Sequence, residues 1–253
     1  MKQDDQKTPA EEGMTFFEHL EELRSRIIKA LAALSIGFII AYFFTPYIID
    51  FLTKPFILDE KSQLTLLYPT EGFMVKLKTA FLAGLVISSP VIFYQFWKFI
   101  APGLYERERR VIYPVVIWSV ILFLIGGFFA YQILPYAMKF FQSFTSDYVG
   151  NFWSLGKYIS FVTYLLLGFG LVFELPLVIY YAARMGIVTP EFLRKKRRHA
   201  IVILLIIAAI VTPPDVFTQI VLAIPLIILY EVSIILAVAA VRKRKKKLSE
   251  GKS

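Results

Sequence analysis

Carboxylates in unusual company carry the chemical potential of this 253-residue sequence. Near its start, Glu18, Glu22 and Arg26 recur at four-residue spacing, which on a helix stacks them along one face, with Glu21 beside them. Two readings stand: Glu22 pairs with Arg26 as a solvated ion pair, or the acids form a binding patch among cations. Farther on, Glu106 and Glu108 alternate with Arg107, Arg109 and Arg110. Exposed ion pairs contribute only about 0 to 1 kcal/mol, so stability alone gives little reason for this mixture, and a surface for a charged peptide competes with local pairing. Glu174 is the most informative residue, because it lies inside the apolar run from Leu165 to Pro176. An ionised carboxylate at the centre of a membrane helix costs about 2.5 to 3.5 kcal/mol on insertion scales, so it needs a partner or water. It is either hydrogen-bonded to a group such as Gln95 or Gln219, or it serves a cavity or partner surface.

Other chemistries find no support. With no cysteine and two histidines, the chain has no thiol nucleophile, no disulfide framework and almost no metal-ligand inventory, and we expect no cofactor. His199 follows a basic cluster at the start of an apolar run, where a headgroup contact accounts for it better than a proton relay does. Asp215 follows Pro213-Pro214 and fits the N-cap of the next helix. A small-solute transporter using Glu174 is the competing functional class. A membrane enzyme would require a catalytic constellation that is missing.

The elements holding these residues are membrane helices. Hydrophobic residues make up 57% and charged residues 19% of the chain, and the mean hydropathy is +0.64. A helix crossing the roughly 30 Å hydrocarbon core needs about 20 mostly apolar residues. Ile27 to Phe44, Thr79 to Trp97, Val111 to Leu134 and Tyr158 to Ala183 meet that requirement. Ala200 to Val211 gives a helix of roughly 18 Å at 1.5 Å per residue, and Glu231 near the middle of Gln219 to Val241 shortens the apolar part of the sixth run. The expectation is an all-α integral membrane protein of six transmembrane helices, the last two short. Within the fourth span, Pro176 predicts a kink beside Glu174. Between the first two spans, Tyr47-Ile48-Ile49 and Phe51-Leu52 predict a short amphipathic helix on the outer surface.

Charge sets the orientation. Six spans would place 22 of the 28 Lys and Arg residues on the side of both termini and six on the other. The positive-inside rule then puts both termini in the cytoplasm. The net charge of +9 is explained by this flanking of apolar runs, so no nucleic-acid partner is expected. Residues 1–13 read as a disordered cytoplasmic tail with no cleaved signal peptide, 14–241 as the six-helix domain, and 242–253 as a basic cytoplasmic tail held at anionic membrane lipid.

Taken in order, several motifs resemble the TatC family of twin-arginine protein translocase subunits. They are His19-Leu20-Glu21-Glu22-Leu23-Arg24, Phe99-Ile100-Ala101-Pro102-Gly103-Leu104-Tyr105 with Glu108-Arg109-Arg110, and Phe173-Glu174-Leu175-Pro176. Thr189-Pro190-Glu191 with Leu193-Arg194, and Pro213-Pro214-Asp215-Val216 with Gln219 and Ala223-Ile224-Pro225, continue the series. The resemblance covers roughly Phe16 to Val241. It implies a concave bundle in the bacterial plasma (inner) membrane, a non-enzymatic receptor core for export of folded proteins driven by the proton motive force. Glu22 and Glu108, with Phe99 and Leu104, match the family's signal-peptide-binding patch, and Glu174 matches its intramembrane acid, where small single-span subunits of the TatA/TatB type dock. Gln219 joins Glu174 as an intramembrane polar position, while Arg24, Pro55 and Asp215 match further family positions. The implied partners are twin-arginine signal peptides, those small subunits and membrane lipid, in a homo- and hetero-oligomer. A guanidinium fork suits a carboxylate better than a lysine ammonium does, so two nearby carboxylates suit an arginine pair.

The topology is open to direct measurement. Because the chain lacks cysteine, external impermeant maleimide should label Lys61→Cys and Asp147→Cys in intact cells and spare Arg107→Cys and Lys196→Cys. Labelling at Lys196→Cys would contradict the short fifth span.

Overall fold

A computed structural model describes residues 16–56, 63–100, 112–143, 152–211 and 216–250. Its elements, in chain order, are α1 (Phe16–Phe43), α2 (Thr45–Thr53), β1 (Gln63–Thr65), α3 (Glu71–Ile100) and α4 (Ile112–Gln142), then β2 (Phe152–Ser154), α5 (Leu155–Val172), α6 (Leu175–Met185), α7 (Pro190–Lys195), α8 (Arg197–Val211) and α9 (Val216–Glu250). Five stretches among the described residues are long and apolar enough to cross a membrane: Phe17–Phe43, Glu71–Ile100, Ile112–Gln142, Leu155–Met185 and Leu222–Lys243. The protein is therefore a multi-pass membrane protein. The fifth apolar run of the sequence forms α8, which has 15 residues and a length of about 22 Å.

One expectation needs correction. The last helix is not short: α9 has 35 residues and contains a 22-residue apolar stretch. Glu231 lies inside that stretch, and Arg197 at the start of α8 donates to its carboxylate at 2.7 Å in an exposed pair. Nor does Pro225 interrupt the helix. The helix also continues past 241 to Glu250, so the basic segment begins as an extension of α9. Residues 1–13 lie outside the described residues.

The expected kink is a two-residue interruption at Phe173 and Glu174, whose backbone stays in the right-handed helical region. Pro176 has no N–H to give the Val172 carbonyl, and the helix ends at Val172 and restarts at Leu175 with the proline in its first turn. Glu174 occupies the junction, its own N–H donating to Leu171 at 3.1 Å. The predicted surface helix is α2, with Leu52 buried and Tyr47 and Phe51 exposed.

In hydrocarbon, helices gain little from the hydrophobic effect against each other, so close packing must hold them together. α1 lies along α3 where Gly37 faces Gly84; a Cβ on Gly37 would sit 2.6 Å from the Gly84 carbonyl oxygen. Between α4 and α5, a Cβ on Gly126 would sit 2.7 Å from the Phe169 carbonyl oxygen and 3.0 Å from Gly170 Cα. Larger side chains at either crossing would force the backbones apart. Around the second crossing, Leu134, Ile159, Leu165, Leu222 and Ile234 form the buried centre, which reaches α9.

One end of the bundle is tied by polar contacts. β1 and β2 pair in parallel, Gln63 with Phe152 through Thr65 with Ser154, joining two loops distant in sequence. Tyr158 donates to the Leu52 carbonyl at 2.7 Å and Tyr131 to that of Phe51 at 3.0 Å, fixing α2 to α5 and α4. The centre of this end is Glu71, a buried residue at the start of α3. One of its oxygens accepts from the Ser154 hydroxyl and from Gly156 N–H at 2.7 Å, the other from Leu67 N–H at 2.5 Å and Tyr68 N–H at 3.3 Å. Every acceptor position of the carboxylate is thus committed to holding the loops on the helix ends. Glu71→Ala should lower the thermal midpoint of the purified protein more than Glu71→Gln, which keeps one acceptor oxygen. Equal midpoints for both variants and the wild type would show that the clasp contributes nothing.

Candidate functional site

α1 starts with an acidic turn and carries Glu22 one turn before Arg26. The Arg26 Nε donates to Glu22 Oε1 at 3.0 Å, and its Nη2 donates to the same oxygen. This is the ion pair expected from the spacing, but it uses only half of the carboxylate. Glu22 Oε2 is buried and has no hydrogen-bond partner. His19 Nδ1 stands 3.8 Å from that oxygen. The imidazole of His19 in turn stacks on Phe99 from the end of α3, with ring centroids 4.5 Å apart and an interplanar angle of 18°. Glu22 and Phe99, 77 positions apart in sequence, therefore share one site with His19 between them.

An acceptor oxygen left open beside an aromatic surface can take an N–H donor, and a charged donor forms the stronger bond. A guanidinium could meet the carboxylate edge while its planar face or an adjoining apolar side chain rests on the rings. His19 stood inside a motif in the sequence but was not singled out there; its three-residue spacing to Glu22 was the available signal. Glu108 and Leu104 lie outside the described residues. Arg24 does not join Glu22 but forms an exposed pair with Glu21 at 3.5 Å.

The second site lies within the bundle. Glu174 is 7% exposed at the α5–α6 junction, where the Ser119 hydroxyl of α4 interacts with its carboxylate. Ser119 itself accepts from the Trp97 indole N–H at 2.7 Å, and Tyr181 packs edge-on against Trp97 at 5.3 Å. Trp97 and Ser119 are almost fully buried, so α3, α4 and the α5–α6 break converge on one polar chain. Glu174 Oε1 has no hydrogen-bond partner. Neither Gln95 nor Gln219 takes the role of partner. The Gln219 amide instead donates to the Leu205 carbonyl at 3.1 Å, tying α9 to α8. Ser119 was missed because it sits in an unbroken apolar run, where a serine reads as a small packing residue.

Of the remaining positions, Pro55 is buried at the end of α2 beside Phe56, whose ring meets Trp153 and Tyr158 edge-on. That environment is packing, remote in character from the polar sites. Asp215 lies outside the described residues. Among the described residues no group of three His, Cys, Asp or Glu side chains could hold a metal.

This arrangement of helices has counterparts among known proteins. The family described as Sec-independent protein translocase protein (TatC) matches residues 18–225. The chain is 44% identical over 228 residues to the Sec-independent protein translocase protein TatC of Desulforapulum autotrophicum, covering 89% of this chain and 84% of that one. To the TatC of Aquifex aeolicus it is 43% identical over 236 residues, covering 92% and 98%. A crystal structure of the twin arginine translocase receptor TatC superposes with a TM-score of 0.82 at 43% identity, over 88% of this chain and 99% of that one. Fold and sequence agree: the chain belongs to the TatC family of Sec-independent, twin-arginine protein translocases.

Proposed function

We propose that this chain is the core receptor of a twin-arginine translocase in the bacterial inner membrane, with six spans in a concave bundle and both termini in the cytoplasm. It binds signal peptides carrying paired arginines at the cytoplasmic face and organises small single-span subunits for export of folded proteins, driven by the proton motive force. It acts by binding rather than by catalysis, in a homo- and hetero-oligomeric assembly. The observation that carries the reading is the open, buried Oε2 of Glu22 beside the His19–Phe99 stack. One arginine of the pair would be taken by this oxygen. The other would go to Glu108, with Leu104 and Phe99 contacting apolar parts of the peptide. Arg26 holds the Glu22 carboxylate in place, so the site needs little rearrangement to accept a second guanidinium.

Glu174 serves a different partner in this reading. Its free Oε1 and its place at a helix break suit a polar group on the transmembrane helix of a small subunit, and opening of the α5–α6 junction would present it. The Trp97–Ser119 chain holds the carboxylate until then. Gln219 and Asp215 would contribute polar contacts near the ends of α8 and α9, and Arg24 and Pro55 supporting ones.

Site-specific crosslinking to a twin-arginine peptide tests the first site. Glu22→Gln and Glu108→Gln should each weaken it about tenfold or more, since a charge-assisted hydrogen bond is worth about 1.5 to 3 kcal/mol, while Glu106→Gln should have a smaller effect. Equal crosslinking by all three variants would remove the site. For the second, Glu174→Gln retains shape and hydrogen bonding and should keep much of the partner crosslinking and export that Glu174→Leu loses. If Gln fails as badly as Leu, ionisation rather than polar docking is the essential property; wild-type export by both would eliminate a role for Glu174.

A further inference from the structure

We infer that the cleft between α7 and the far end of α9 is a binding site for an anionic phospholipid. The cleft has a volume of roughly 640 Å³, within the range of small-ligand sites, and is lined by Arg194 of α7 together with Arg242, Lys243 and the apolar Ile235, Val238 and Ala239 of α9. The three cations are exposed, and among the described residues no carboxylate forms a salt bridge with any of them. They stand where the apolar stretch of α9 ends, at Lys243, so they meet the membrane at headgroup depth.

The walls are fixed. The Tyr230 hydroxyl donates to the Leu193 carbonyl at 2.9 Å, setting α7 on α9 next to Arg194, and the Arg197–Glu231 pair fastens the start of α8 to the same helix. Leu193 is itself buried. Cations from two elements are thereby held around one space instead of being spread along a flexible segment. Arginine guanidinium groups bind phosphate through parallel N–H···O bonds, and Lys243 adds a compact charge. Below the cations, Ile235 is 68% exposed, offering an acyl chain an apolar wall continuous with the headgroup site. A phosphate at the cationic mouth and a chain along α9 satisfy both halves of the cleft at once; basic pockets between membrane helices bind acidic headgroups for this reason.

Native mass spectrometry of the purified full chain, titrated separately with dioleoyl phosphatidylglycerol and dioleoyl phosphatidylcholine, tests the inference. Phosphatidylglycerol should be retained preferentially. The triple variant Arg194→Gln/Arg242→Gln/Lys243→Gln should weaken that binding on the order of a hundredfold. Lys245→Gln/Lys246→Gln/Lys247→Gln removes the same charge farther along the sequence and should change it little. Ala239→Trp, which fills the cleft without altering charge, should weaken phosphatidylglycerol binding while the thermal midpoint stays near that of the wild type. Equal retention of the two lipids, equal losses in the two triple variants, or undiminished binding by Ala239→Trp would each overturn the site.

Discussion

A carboxylate at or within a membrane must find donors, and three of them organise this protein in three different degrees of satisfaction. Glu71 is filled: two backbone N–H groups meet one oxygen, and a hydroxyl and a third N–H meet the other. Glu22 is half filled, with Arg26 on Oε1 and nothing bonded to Oε2. Glu174 interacts with Ser119 and leaves Oε1 open. Leaving a buried acceptor unpaired has a cost, about 1 to 3 kcal/mol for an ordinary group and more for a charged one. The filled carboxylate has the geometry of a clasp, whereas the open ones are poised for an incoming donor. This division sets the architectural Glu71 apart from the two carboxylates that the proposed function assigns to recognition.

The apolar runs made most of the fold readable. Spans of 20 or more apolar residues announce themselves, and Pro176 marked the α5–α6 break because its missing N–H has a local effect. Long-range pairing was not readable. Ser154 reaches Glu71 across 83 positions and Arg197 reaches Glu231 across 34, and neither partner carries a local signal of the other. The sequence showed Glu231 in an apolar run, but nothing local marked Arg197 as its partner. Glu22 was visible from its spacing, yet its open oxygen was not, since the same spacing fits a fully paired surface ion pair.

The helix break connects packing to the proposed partner site. Gly126 and Gly170 let α4 and α5 approach closely, which brings Ser119 of α4 within reach of the junction that follows α5. Trp97 then extends the polar chain to α3. A carboxylate placed at a restart of the helix has fewer backbone constraints around it than one in mid-helix, and movement of α6 relative to α5 would change its surroundings without unfolding either segment. At the opposite end of the bundle from the Glu71 clasp, the cations of α7 and α9 in turn give the protein a fixed relation to anionic lipid.

The account's central claim is that Glu22 offers a geometric acceptor for a guanidinium and not merely negative charge. The most direct measurement is the affinity of the purified protein, in nanodiscs, for a signal peptide with paired arginines and for the same peptide with both replaced by lysine. A guanidinium whose N–H groups converge on Oε2, as those of Arg26 do on Oε1, predicts at least about tenfold weaker binding of the lysine peptide at equal charge and ionic strength. Equal affinities would show that the site reads charge alone and would contradict the account.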